Sequence, residues 1–191
     1  MKKGIAIFIA AVLFCTSAFA AGGGGYLSVG LGPEAILKVY NTTSGNVTET
    51  DAGAYSTMGG SLDVSIGYEF GGAFGLGLRT GVDYNGSKLP QYAGIITVPV
   101  MLEAVIAPSF GGGARIPVTL AAGGHAQFIG NKVALGAAAA ASVGFMADVS
   151  DSLSIGYEVG AEVLMQFAKG FGSATYQVNL MPITLEMTCR F

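Results

Sequence analysis

The chain is short of charge, cysteine and histidine, and each shortage excludes a class of chemistry. Charged residues are 11% of the sequence against 51% hydrophobic. Nine basic residues face twelve acidic ones, and no basic stretch offers a footprint for nucleic acid. Of the two cysteines, Cys15 lies in the N-terminal apolar segment and Cys189 near the end, so removal of that segment leaves no partner for a disulfide. His125 is the only histidine, and one imidazole makes no zinc site without help from carboxylates. No metal site and no cofactor are expected. Past the N-terminus, long hydrophobic runs are also missing. The nearest to a transmembrane helix is 133–149, uncharged until Asp148, slightly short for a span and rich in Gly and Ala.

What is present at the N-terminus is a leader. Lys2 and Lys3 precede an apolar core over 5–15, and Ala18-Phe19-Ala20 has the small-x-small form of a cleavage site before Ala21. Residues 1–20 read as a secretory signal peptide and 21–191 as one domain. Phe14 precedes Cys15, where a lipidation signal needs a small residue, which argues against a lipid anchor. An exported chain with 31 glycines and membrane-like hydrophobicity but no spanning helix fits a closed β-barrel. Only helices and closed barrels pair every backbone group inside lipid.

The alternation agrees. From Met181 to Phe191 every odd position is apolar, and every even position after Pro182 is polar, the period of a strand with one apolar and one polar face. Eight such segments occur, over 26–40, 58–70, 74–84, 96–106, 116–128, 133–149, 153–167 and 176–191, each long enough to cross a bilayer when tilted. The phase of the eighth slips beside Pro182, which predicts a bulge there. The apolar-Pro-apolar-x-Leu pattern at Pro99, Pro117 and Pro182 reads as proline marking the ordered start of a strand. Connections alternate in length. A polar loop over 41–57, a loop over 85–94 and one over 168–174 fall at one end. Tight turns at 71–73 and 150–152 fall at the other, the pattern of long outer loops and short periplasmic turns. The glycine-rich 108–115 turn and the short 129–132 loop depart from it. Phe70, Phe74, Phe145 and Phe191 fall near the inner strand ends, and Tyr40, Tyr84 and Phe167 near the outer ends, where amphipathic rings meet headgroups.

With leader, strand count, loop asymmetry and terminal Phe191 together, the chain resembles the small eight-stranded outer-membrane β-barrels of the OmpA-transmembrane, OmpX and OmpW type. The resemblance implies an all-β, antiparallel up-and-down transmembrane barrel, integral to the bacterial outer membrane. It implies contact with outer-membrane lipid and recognition of the C-terminal strand by the barrel-assembly machinery, with Phe191 as the assembly signal. It further implies an extracellular or host ligand at the outer loops, of which 41–57, with Glu49 and Asp51, is the best contact surface.

Strand phase assigns the lumen. Glu34, Lys38, Asp63, Glu69, Arg79, Asp83, Glu103, His125, Gln127, Glu158, Glu162, Gln166, Glu186 and Arg190 should face inward. An eight-stranded barrel has an interior just wide enough for side chains to fill, and buried charges must be paired or neutralised. Eight carboxylates against three cations in that set require water, protonation or a bound cation. The expected result is a polar plug; a narrow cation-preferring pore is the alternative. Catalysis is not expected. Deacylase barrels of similar architecture use His, Ser and Glu, whereas Gln127 stands two residues after His125, and His125 points into the lumen rather than at lipid. The function expected is structural, or surface interaction through the outer loops. The runner-up is an OmpW-like channel for small ions or small apolar molecules.

Overall fold

A computed structural model describes residues 24–43, 46–50, 55–70, 73–87, 94–130, 132–167 and 173–191. The expected leader over 1–20 lies outside them. Ten strands follow in chain order: β1 (Gly25–Thr43), β2 (Asn46–Thr50), β3 (Tyr55–Phe70), β4 (Phe74–Ser87), β5 (Ile95–Ile106), β6 (Ala114–Arg115), β7 (Val118–Ile129), β8 (Lys132–Ser150), β9 (Leu153–Phe167) and β10 (Ser173–Arg190). All but the short β2 and β6 form one antiparallel ring of eight, β1-β3-β4-β5-β7-β8-β9-β10, closed by pairing of β10 with β1. Each expected strand falls on one member of this ring, including the alanine-rich sixth, where lateral pairing on both sides overrides the helical preference of Ala.

Closure rests on the chain's two ends. Gly25 N–H donates to the Phe191 carbonyl at 3.0 Å, and Phe191 N–H donates back to Gly25 at 2.9 Å. A Cβ on Gly25 would lie 2.5 Å from the Phe191 ring, so any larger residue there must displace the terminal aromatic from its place at the seam.

The outward face is apolar on every strand of the ring. Leu31, Ile66, Leu78, Leu120, Leu135 and Val159 are all exposed; Leu102 is 71% and Leu185 64% exposed. A continuous belt of this kind far exceeds the apolar patches of water-facing monomers and is the surface that hydrocarbon solvates. Phe70 and Phe74 meet across the β3–β4 turn with ring centroids 6.1 Å apart, and Phe145 meets Tyr157 at 6.2 Å, towards the end where β1 starts and β10 stops. Tyr84 and Phe167 are exposed at the other end. Cys189 has the outward parity but is buried among its neighbours rather than bared to lipid.

Three local irregularities set which residues reach the lumen. The register of β10 against β9 shifts between Met181 and Thr184, the bulge expected beside Pro182. Before it Gln177, Asn179 and Met181 face in; after it Thr184, Glu186, Thr188 and Arg190 do. A second shift, between Ile36 and Lys38 of β1, was not legible. The extra residue Leu37 inverts the parity, since one residue of slip exchanges the two faces. Ile36 keeps the inward phase of Glu34 and is buried, whereas Lys38, beyond the shift, is turned out and exposed, which removes Lys38 from the expected lumenal set. Third, Pro99 stands in the middle of β5, not at its start. The β4–β5 ladder skips it, resuming at Thr80↔Val100 and Asp83↔Thr97, and Thr80 Oγ1 donates to the Pro99 carbonyl at 2.8 Å.

Two connections also differ from expectation. The 41–57 segment is partly strand: β1 continues to Thr43 and β2 folds back on it, Val39↔Thr50 to Thr43↔Asn46. The glycine-rich turn after β5 is more than a turn. Gly111, Gly112 and Gly113 all take positive φ (85°, 64° and 77°), a conformation available at little strain only without a Cβ. They reverse the chain so that β6 pairs with Ala147 and Met146 of β8, carrying Arg115 to the inner mouth.

Candidate functional site: the barrel lumen

Inward parity brings the charged residues together in three tiers. At the inner mouth, Glu69, Asp148, Arg115 and Arg190 alternate in sign. Arg190 Nε donates to both Glu69 oxygens at 3.0 and 3.1 Å, and its Nη1 donates to Asp148 Oδ1 at 3.3 Å and Ser154 Oγ at 2.6 Å. Arg115 lies 3.6 Å from Glu69 and 3.5 Å from Asp148. Each cation thus meets both anions, a two-against-two balance that suits a partly buried site.

In the middle tier Arg79 pairs with Asp63 at 2.9 Å. Three further carboxylates are held by hydroxyls rather than cations. Glu103 accepts from Tyr26 at 2.8 Å and Ser65 at 3.0 Å. Glu158 accepts from Ser142 at 2.8 Å and Thr119 at 3.4 Å. Glu186 accepts from Ser28 and from Thr188. Between the inner mouth and this tier lies a cavity of about 70 Å³, lined by Tyr26, Asp63, Arg79, Glu103, Glu158 and Arg190 among others, room for several waters.

The outer tier is different. Glu34, Asp83 and Glu162 converge, with one oxygen of each within 4.8 Å of the others, all three buried. Beside them an amide chain crosses the lumen. Asn179 donates to Glu162 at 3.5 Å, Gln177 to Asn179 at 2.8 Å, Gln127 to Gln177 at 3.5 Å and to Thr97 at 3.3 Å, and Gln166 to Gln127. His125 is buried nearby and its Nδ1–H donates to the Ala137 carbonyl at 3.1 Å. On the β5–β9 side the wall is apolar: Met101, Ala121, Ala138, Ala140 and Leu164 pack together, with Leu164 wholly inaccessible. The small residues of β7 and β8 are thus filled by Met101 and Leu164 as well as by polar groups.

Of the expected lumenal residues, Glu34, Asp63, Glu69, Arg79, Asp83, Glu103, His125, Gln127, Glu158, Glu162, Gln166, Glu186 and Arg190 lie inside, and Lys38 does not. Sequence reasoning missed Asp148, Tyr26 and the Ser and Thr donors, all of which parity alone would have found. It also missed Arg115, which no strand period could reveal because it arrives on a folded turn. With Lys38 out and Asp148 and Arg115 in, nine carboxylates face three guanidinium groups among the described residues.

This architecture has known counterparts. Over 88% of this chain and 97% of the other, the barrel superposes on neisserial surface protein A with a TM-score of 0.60 at 9% sequence identity. It superposes on the outer membrane protein OprG of Pseudomonas aeruginosa over the same shares of each chain, with a TM-score of 0.50 at 12% identity. No protein-family model matches the sequence, and no curated protein matches it. At these identities the likeness carries the fold. The chain has the fold of the small eight-stranded antiparallel outer-membrane β-barrels.

Proposed function

We propose that this barrel is a filled, non-catalytic outer-membrane scaffold whose role is structural or surface interaction through its outer loops. The observation that carries this reading is the transverse network of the outer tier, where Gln166, Gln127, Gln177 and Asn179 hydrogen-bond from β7 to β9 and β10 across the lumen. Such a bridge leaves a passing ion to break several buried hydrogen bonds, and each group left without a partner costs about 1–3 kcal/mol. With the lumen occupied, the surfaces left for a ligand are lipid and the loops above β1–β3, β4–β5 and β9–β10. Loops held on a rigid barrel are the usual seat of recognition. The setting of His125 supports the absence of catalysis. One nitrogen is engaged by a backbone carbonyl, and the ring packs against Gly136, where an added Cβ would lie 2.5 Å from it. It is neither near lipid nor paired with a hydroxyl nucleophile. Phe191, paired to Gly25 at the seam, is the natural element for the assembly machinery to read.

A narrow cation pathway, with OmpW-like transport of small ions or apolar molecules, is the second reading. The excess of nine carboxylates over three guanidiniums among the described lumenal residues and the inner cavity of about 70 Å³ favour it. Single-channel conductance of the refolded mature protein in a planar bilayer separates the two. A folded, silent barrel is expected. Reproducible openings altered by Glu158→Gln or Glu162→Gln would overturn the filled-lumen reading.

A further inference from the structure

Among the described residues the outer-tier carboxylates have neither a cation nor the hydroxyl donors that hold Glu103, Glu158 and Glu186. Arg79 is engaged by Asp63, and Arg115 and Arg190 by Glu69 and Asp148. Among the described residues no ion pair reaches Glu34, Asp83 or Glu162. Glu34 is 2% exposed, and neither of its oxygens receives a hydrogen bond; Oδ2 of Asp83 receives none either. A buried carboxylate without a donor or a cation is among the costliest arrangements a protein holds.

A fourth unpartnered oxygen lies on the neighbouring strand β4. Asn85 is 3% exposed and its side-chain oxygen has no donor. Glu34, Gly59 and Asn85 sit side by side on β1, β3 and β4 (Glu34↔Gly59, Gly59↔Asn85). Because Gly59 has no side chain, nothing stands between the outer two. The Asn85 oxygen lies 2.6 Å from where a Gly59 Cβ would be, so it leans over the glycine towards Glu34. Beside ionised carboxylates an amide oxygen is stabilised by a cation placed between them; a protonated carboxyl is the competing arrangement, and the test below separates the two.

We propose that Glu34, Asp83, Glu162 and the Asn85 side-chain oxygen form a buried Ca²⁺ site in the outer half of the lumen. The donor set is all oxygen, which selects a hard cation over zinc or copper. Oxygens that all lie within 4.8 Å of one another can share one ion; Ca²⁺ takes most of its ligands directly from protein oxygens, whereas Mg²⁺ keeps several waters and is seldom held by an all-protein cage. Asn179, whose Nδ2 donates to Oε2 of Glu162 at 3.5 Å, orients that ligand. The ion ties β1, β4 and β9 together across the lumen. This site is independent of the loop-recognition reading: its failure would leave that reading in place.

The test uses the full mature barrel refolded in detergent free of lipopolysaccharide, stripped with chelator and checked by heat-shifted gel mobility. Equilibrium dialysis against Ca²⁺ should give one ion per folded barrel, and added Ca²⁺ should raise the unfolding temperature. Asp83→Asn and Glu162→Gln should weaken binding by roughly tenfold or more, whereas Glu158→Gln, whose carboxylate has its own hydroxyl donors, should bind as the wild type does. Folded wild type that binds no Ca²⁺, or binding equal in Asp83→Asn, would overturn the site. If the variants do not fold, infrared spectra of the wild type decide. A carboxylate stretch that shifts on Ca²⁺ addition supports the site, and a protonated carboxyl band that persists with Ca²⁺ present refutes it.

Discussion

A charge placed on the outward face of β4 should be penalised according to its depth, and the strand supplies the scale. Phe74 and Tyr84 mark the two ends of its outward row, ten residues apart. At about 3.3 Å per residue and a tilt near 45° the two rings stand about 23 Å apart along the membrane normal, close to the ~25 Å apolar band of such barrels. Leu78, four residues from Phe74, then lies about 9 Å above the inner ring, within about 3 Å of the midplane. Its neighbours across the ladders are Ile66 and Leu102, both exposed on the same face, so an arginine there finds neither an anion nor a short route to water. Leu78→Arg should destabilise the barrel by about 2–4 kcal/mol, and Tyr84→Arg, at the outer interface, by about 0–1 kcal/mol. Reversible denaturant titration of the protein folded into lipid vesicles, followed by tyrosine fluorescence and gel mobility, measures both. Equal costs at the two sites, or a neutral Leu78→Arg, would refute the assigned face and depth.

Other expectations follow from the same geometry. Deleting Phe191 removes both hydrogen bonds to Gly25 and should lower the amount of assembled barrel in the outer membrane while export continues, read by fractionation and heat-shifted mobility; normal levels would dismiss the terminal signal. Gly25→Val should impair closure similarly, since its side chain would occupy the space of the Phe191 ring. Arg79→Met leaves Asp63 buried without its cation and should cost about 3–5 kcal/mol in the same titration, while the double change Arg79→Met with Asp63→Leu should recover much of that loss.

How much was legible in the sequence follows from what a two-residue period can encode. Parity along a regular strand depends only on local sequence, so the eight strands, the lipid face and nearly the whole lumenal set could be read directly. The bulge beside Pro182 was legible too, because a phase slip in polarity and a missing N–H coincide there. The bulge at Leu37 was not: Leu-Lys-Val reads equally well in either phase, and only the competing registers of β10 and β3 against β1 choose between them. Arg115 escaped for a different reason, since three consecutive glycines specify freedom rather than a direction, and the direction comes from β8.

The sequence by itself determined an all-β chain with an apolar outside and a polar inside, because alternation and composition act residue by residue. Tertiary structure alone decided which lumenal charges meet. Pairing of Arg190 with Glu69, 121 residues away, and convergence of Glu34, Asp83 and Glu162 from three strands depend on the stagger at which the ring closes. That stagger is a property of all eight ladders together, set by the bulges and by the Gly25–Phe191 seam, and no single strand contains it.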